Sequence, residues 1–141
     1  MGVYPDPHSD FGARVRAKLA NEHVIWMTTV STDGTPQPNP VWFVPDGDDL
    51  VIYTTKNALR LRHLRRNPHA AFAFNSDPRG DDVVILTGTV ALDKHLPPCH
   101  QLPSYSKKYA SDAIAISGTE KAFADEYSVP LRATIAKVRG F

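Results

Sequence analysis

The sequence predicts a mainly β fold, an antiparallel barrel of six strands with about four short accessory helices. Three observations carry that expectation. Segments rich in Val, Ile, Tyr and Thr follow one another with little but turns between them, the order of an antiparallel sheet and not of an alternating doubly wound one. Two of those turns, Thr32-Asp33-Gly34-Thr35 and Asp46-Gly47-Asp48-Asp49, set Asp-Gly between apolar runs. Gly88 stands in the middle of a long run, where a missing side chain permits a bend or the close approach of another backbone, and bends help a sheet close.

The elements follow in order. Residues 1–10, with two prolines and few apolar side chains, predict a flexible arm on a single domain spanning 1–141. Ser9 or Asp10 can cap a helix from about Phe11 to Asn21, where Phe11, Val15 and Leu19 share a face. His23 to Ser31 is a first strand, and Pro38 to Pro45 a second. Pro38 and Pro40 lack ladder donors, which confines that part of the strand to an edge or a bulge. A ligand can approach backbone there, so Asn39 reads either as a contact to a planar heterocycle or as a structural turn residue. Leu50 to Thr54 gives a third strand, Thr55-Lys56-Asn57 a turn, and Ala58 onward a basic helix that Pro68 ends. His69 to Ser76 and Val83 to Leu92 are further strands, separated by the polar loop 77–82. A proline-rich stretch from Asp93 leads to helices over about Pro103 to Ile114 and Glu120 to Tyr127, and Leu131 to Val138 is the last strand.

Composition narrows the function. A chain of 141 residues can bury a core without staples, and 16 Lys+Arg against 15 Asp+Glu give no general field for nucleic acid. The single cysteine, Cys99, excludes an internal disulfide and a multi-cysteine zinc site. The six histidines have no metal-ligand spacing, and GxSxG, HExxH, Walker and GxGxxG motifs are absent. No stretch has the order of a signal peptide or the length of a membrane span, so the expectation is a soluble cytoplasmic protein with no nucleic-acid or membrane partner. Chemistry would then come from a bound cofactor.

The best place for one is the passage from Leu50 to Pro68. A strand that turns into a helix start, with Thr54, Thr55, Lys56, Asn57 and Ala58 in the turn, offers free N–H groups and a helix dipole to an anion. On the helix, Ala58, Leu61 and Leu64 share a side, and Arg62, Arg65 and Arg66 cluster on another face, as a solvated surface. Arg60 projects away from that cluster, near the packed face, and with Lys56 is the better anion ligand.

The order of TDGxPQ turn, PVWF strand, DGD turn, IYTT strand, a basic helix ending LRRNP and a GTV strand resembles the split β-barrel flavin-binding superfamily of pyridoxamine 5'-phosphate oxidase. The resemblance covers about Phe11 to Leu92. It implies a split barrel, a homodimer with the cofactor at the subunit interface, and a phosphate held by Thr54, Thr55, Lys56, Asn57, Ala58 and Arg60, the last standing where the family has a lysine. On that reading Asn39, Pro40 and Trp42 border the cofactor ring, Tyr53 is among the cofactor-binding residues, and the product's proton comes either from solvent or from Tyr53. Where the oxidases carry an arginine and a lysine on the second strand, this chain has about Pro38 and Phe43, and it lacks their C-terminal segment with Trp, Arg and His. Those departures are shared with the deazaflavin branch, which implies a coenzyme F420-dependent oxidoreductase acting on a small organic acceptor. An FMN-dependent oxidoreductase and a non-catalytic flavin, deazaflavin or haem binder are the alternatives.

Overall fold

Seven antiparallel strands join in one sheet, whose edges are the strands over Pro36–Trp42 and Val44–Asp46. The computed structural model describes residues 2–141, so Met1, the first residue of the predicted arm, lies outside the described residues. Tyr4 from that arm packs against the core and donates its hydroxyl to the Asp48 carbonyl at 3.0 Å. The strands are β1 (Val24–Val30), β2 (Pro36–Trp42), β3 (Val44–Asp46), β4 (Asp49–Thr54), β5 (His69–Ala73), β6 (Val84–Leu92) and β7 (Val129–Gly140). The helices are α1 (Asp10–Asn21), α2 (Leu59–Arg66), α3 (Pro103–Ser117) and α4 (Glu120–Glu126), with a single 3-10 turn at Cys99–Gln101.

The count of six strands needs one correction, because the run expected over Pro38 to Pro45 is divided at Phe43 into β2 and β3. The cause is in the backbone bonding of Phe43. Its N–H is donated to the Tyr109 hydroxyl at 2.9 Å, and its carbonyl accepts from Lys108 Nζ at 2.9 Å. Side chains of α3 thus take the groups a ladder would have used. The consequence is topological. β2 and β3 are the two edges of the sheet, yet only one residue separates them in the chain, so the sheet must curl until its edges meet at Phe43.

Of the two roles expected for Gly88, the structure shows the close approach of another backbone. The register between β6 and β7 shifts at Thr87/Gly88, and a Cβ on Gly88 would lie 2.0 Å from the Thr134 carbonyl oxygen. On β2, Pro36, Pro38 and Pro40 fall at alternate positions, so all their missing donors lie on one side of the strand, and β1 stays in register along its whole length from Pro36 to Trp42. The prolines protect an open edge.

Strand alternation sorts the core into two parts. Ile25, Met27, Val41, Leu50, Ile52, Phe72, Leu86 and Ala133 fill the barrel. On the outer face, Val51, Tyr53 and Trp42 meet Tyr105, Tyr109 and Phe123 from α3 and α4. This second cluster is largely aromatic.

Candidate functional site

The turn after β4 separates two cavities that share Ala58 in their walls. The first, of about 340 Å³, lies between the outer face of β2 and β4 and the helices α3 and α4. Its walls are aromatic: Trp42, Tyr53, Tyr105, Phe123 and Tyr127. They are held as a stack. Trp42 stacks on Tyr109 at 4.5 Å and 1° and on Phe123 at 5.0 Å and 17°, and Phe123 in turn stacks on Tyr127 at 4.3 Å. Stacking of this kind fixes the ring planes and gives a planar ligand an apolar, aromatic-lined cavity to enter.

One cation enters this cavity. Arg60 is half-buried, and its Nη1 donates to Thr54 Oγ1 at 2.7 Å. No carboxylate lines the cavity, and among the described residues Arg60 has no ion pair. Burial pulls its pKa down from the ordinary arginine value, which records the cost of holding that charge without a counter-ion. Thr54, 1% exposed, accepts from Arg60 and keeps its own proton for a further acceptor. Behind them α2 begins at Ala58 with no side-chain cap, so its first N–H groups are also open to an anion.

The predicted site residues divide between the two sides of the turn. Pro40, Trp42, Tyr53, Thr54, Thr55, Ala58 and Arg60 come together around the aromatic cavity. Lys56 and Asn57 do not join them; they line the second cavity with Ala58. Asn39 is exposed on β2, opposite Met27, and lines neither. The cavity takes the end of the strand, Pro40, Val41 and Trp42, and Asn39 falls one residue short of it. Tyr53 donates its hydroxyl to the Pro97 carbonyl at 2.7 Å, and burial pushes its pKa up to about 12. That phenol is held as a structural donor.

Sequence reading missed Tyr105, Ile116, Phe123 and Tyr127, which close the cavity from the helices. A usable sign was the four-residue spacing of Tyr105 with Tyr109 and of Phe123 with Tyr127. Cys99 is buried, and desolvation raises its thiol pKa to about 11, as befits an inert packed cysteine. No cluster of metal-ligating side chains occurs among the described residues.

A planar heterocycle with an anionic arm suits this arrangement: rings to stack on, and Arg60 with Thr54 for the charge. The sequence profile of the Pyridoxamine 5'-phosphate oxidase family matches residues 11–140. The chain belongs to the pyridoxamine 5'-phosphate oxidase family. Its curled sheet is that family's flavin-binding split barrel. Among solved structures, a candidate pyridoxamine 5'-phosphate oxidase from Listeria innocua is similar at TM-score 0.62 and 21% identity, over 90% of this chain and 94% of that one. An F420 reductase is similar at TM-score 0.65 and 23% identity, over 88% and 94%. HutZ, a haem storage protein from Vibrio cholerae, reaches TM-score 0.67 at 11% identity, over 91% and 92%. At such identities these likenesses concern the fold. None of the curated proteins matches the chain. No helix among the described residues is long and apolar enough to cross a membrane.

Proposed function

We propose that the protein is an F420-dependent oxidoreductase that exchanges hydride between the deazaflavin and a small electron-poor organic acceptor, as a cytoplasmic homodimer with the cofactor at the subunit interface. The observation that carries this reading is the half-buried Arg60, bonded to Thr54 and without a carboxylate, at the end of an aromatic-walled cavity. A phosphate there would supply the missing counter-charge. The bound deazaflavin would supply the hydride chemistry; the chain's own residues bind and orient.

Arg60, Thr54 and the open helix start at Ala58 would hold the phosphate, with Thr55 beside them. Trp42, Pro40 and Tyr127 would border the ring, and their fixed planes would set the distance to an acceptor. Lys56 and Asn57 line the cavity on the other side of the turn and would take no part in holding the phosphate. Asn39, on the exposed proline-bearing edge, would reach the cofactor only at its rim. Since the Tyr53 hydroxyl is engaged by Pro97, we assign the product's proton to solvent. Ile116 lines the cavity and is 61% exposed, which supports a partner subunit covering its mouth.

Second-strand chemistry favours F420 over FMN. Pro38 is exposed on the edge and Phe43 is fully buried, so β2 offers the phosphate no cation. The FMN-dependent oxidoreductase is the second reading, supported by membership of a flavin-binding family. Titrating the purified protein with F420 and with FMN, followed by ligand fluorescence at matched ionic strength, separates them. Tighter F420 binding is expected; tighter FMN binding overturns the cofactor assignment. Binding without hydride transfer to any quinone, enone or nitro compound would leave a carrier of cofactor or haem.

A further inference from the structure

The second cavity has different chemistry. A groove of about 740 Å³ runs between α2 and the ends of β6 and β7, on the other side of the turn from the aromatic cavity. Its floor is Leu64, Val90 and Leu131, each no more than 8% exposed. Leu59 and Leu92 stand at its margins, 65% and 50% exposed, an unfavourable placing for two leucines unless something covers them. No aromatic ring lines it. Lys56, Arg62 and Arg65 belong to its lining, all from the turn and α2, and no acidic residue does. Among the described residues none of these three cations makes an ion pair.

We propose that this groove is a second ligand site, separate from the aromatic cavity, and that its occupant is a linear alkyl carboxylate. The volume is that of a small-molecule site. Aliphatic walls without a stacking ring suit a flexible hydrocarbon chain better than a planar heterocycle, for which the neighbouring cavity is built. Cations on one side only, with no carboxylate among them, match a single anionic head. An alkyl chain along Leu59 and Leu92 would take both from water while its carboxylate met Arg62 and Arg65, whose planar guanidinium groups pair with a carboxylate bidentately. Neither the floor nor the cations depend on the F420 reading.

Decanoate and decan-1-ol, titrated calorimetrically into the whole protein below their aggregation limits, test the proposal. Saturable decanoate binding of one per chain is expected, much tighter than decan-1-ol. The double variant R62Q/R65Q, at two exposed positions, should weaken decanoate by about tenfold or more and leave the alcohol unchanged. An unaltered thermal melt verifies that the variant is folded. Saturating F420 should not displace decanoate. Absence of saturable binding, equal affinity for acid and alcohol, or indifference to the two arginines overturns the proposal. So does displacement by F420, which would give the groove to the cofactor's own tail. F420 binding without decanoate binding refutes this site alone, and the reverse result refutes the cofactor assignment alone.

Discussion

The two sides of the Thr55–Ala58 turn hold the same kind of charge under opposite conditions. In the aromatic cavity one guanidinium is half-buried, bonded to Thr54 and, among the described residues, without a counter-ion. In the aliphatic groove Lys56, Arg62 and Arg65 are all exposed to water. Coulomb interactions grow as water is removed, and exposed charges are screened by salt over about 10 Å. A single enclosed arginine can therefore outweigh three open ones for an anion placed beside it. Counting basic residues on a helix misjudges which of them matters.

Arg60→Ala breaks the comparison most directly. Losing a charge-assisted bond worth about 1.5–3 kcal/mol should weaken cofactor binding about 10- to 100-fold, read by fluorescence titration. Arg65→Ala should cost about fivefold at most. Equal losses would mean that the half-buried arginine has no special standing. Salt sharpens the contrast: raising ionic strength should erase the Arg65 effect and leave most of the Arg60 effect.

How far these sides could be read from the chain follows from what shapes each. The barrel strands were legible because period-two alternation of residues such as Ile25, Met27, Leu50 and Ile52 faces one common interior. Arg60 was legible because helical geometry alone turns it away from Arg62, Arg65 and Arg66. The break at Phe43 was not, since its cause is the Tyr109 hydroxyl and Lys108 amine, 66 and 65 residues further on. The aromatic wall was hidden for the same reason: Tyr105, Phe123 and Tyr127 acquire a role only when α3 and α4 fold over β4. Where Asn39 would stand was not legible either, since the cavity lining starts at Pro40, the next residue along the strand.

Tyr109→Phe tests whether that wall is held from behind. Its hydroxyl accepts from the Phe43 N–H at 2.9 Å and donates to the His23 carbonyl at 2.6 Å, and its ring carries the face of Trp42. Phenylalanine keeps the ring but leaves a buried N–H unpaired, which should cost about 1–3 kcal/mol in urea unfolding. Cofactor affinity should fall a few-fold through the displaced Trp42, with decanoate binding in the groove unaffected. An equal loss at both ligand sites would show a general loosening instead of a wall.

The smallest effect concerns Lys108, whose amine sits 3.7 Å over the Phe43 ring and gives its proton to the Phe43 carbonyl. Burial pushes its pKa down to about 8. Below that value both folded and unfolded chains hold the proton. Between about pH 8 and the ordinary lysine value near 10.5 the unfolded chain binds more protons than the folded one, so this residue makes stability rise with pH. The phenols act in the opposite sense. Tyr53, raised from 10 to about 12, keeps its proton in the fold after the unfolded chain has lost it, so its contribution falls above about pH 10. Cys99, raised from 9 to about 11, opposes the climb above about pH 9 in the same way, so urea unfolding midpoints should climb from pH 8 toward 9, level off, and drop above about 10. Lys108→Met should abolish the climb and preserve the drop; a climb that persists in the variant would place its origin elsewhere. The same change leaves the Phe43 carbonyl only a share of the Tyr109 proton, at 3.0 Å against 2.6 Å to the His23 carbonyl, so the junction between β2 and β3 would be held by one side chain instead of two.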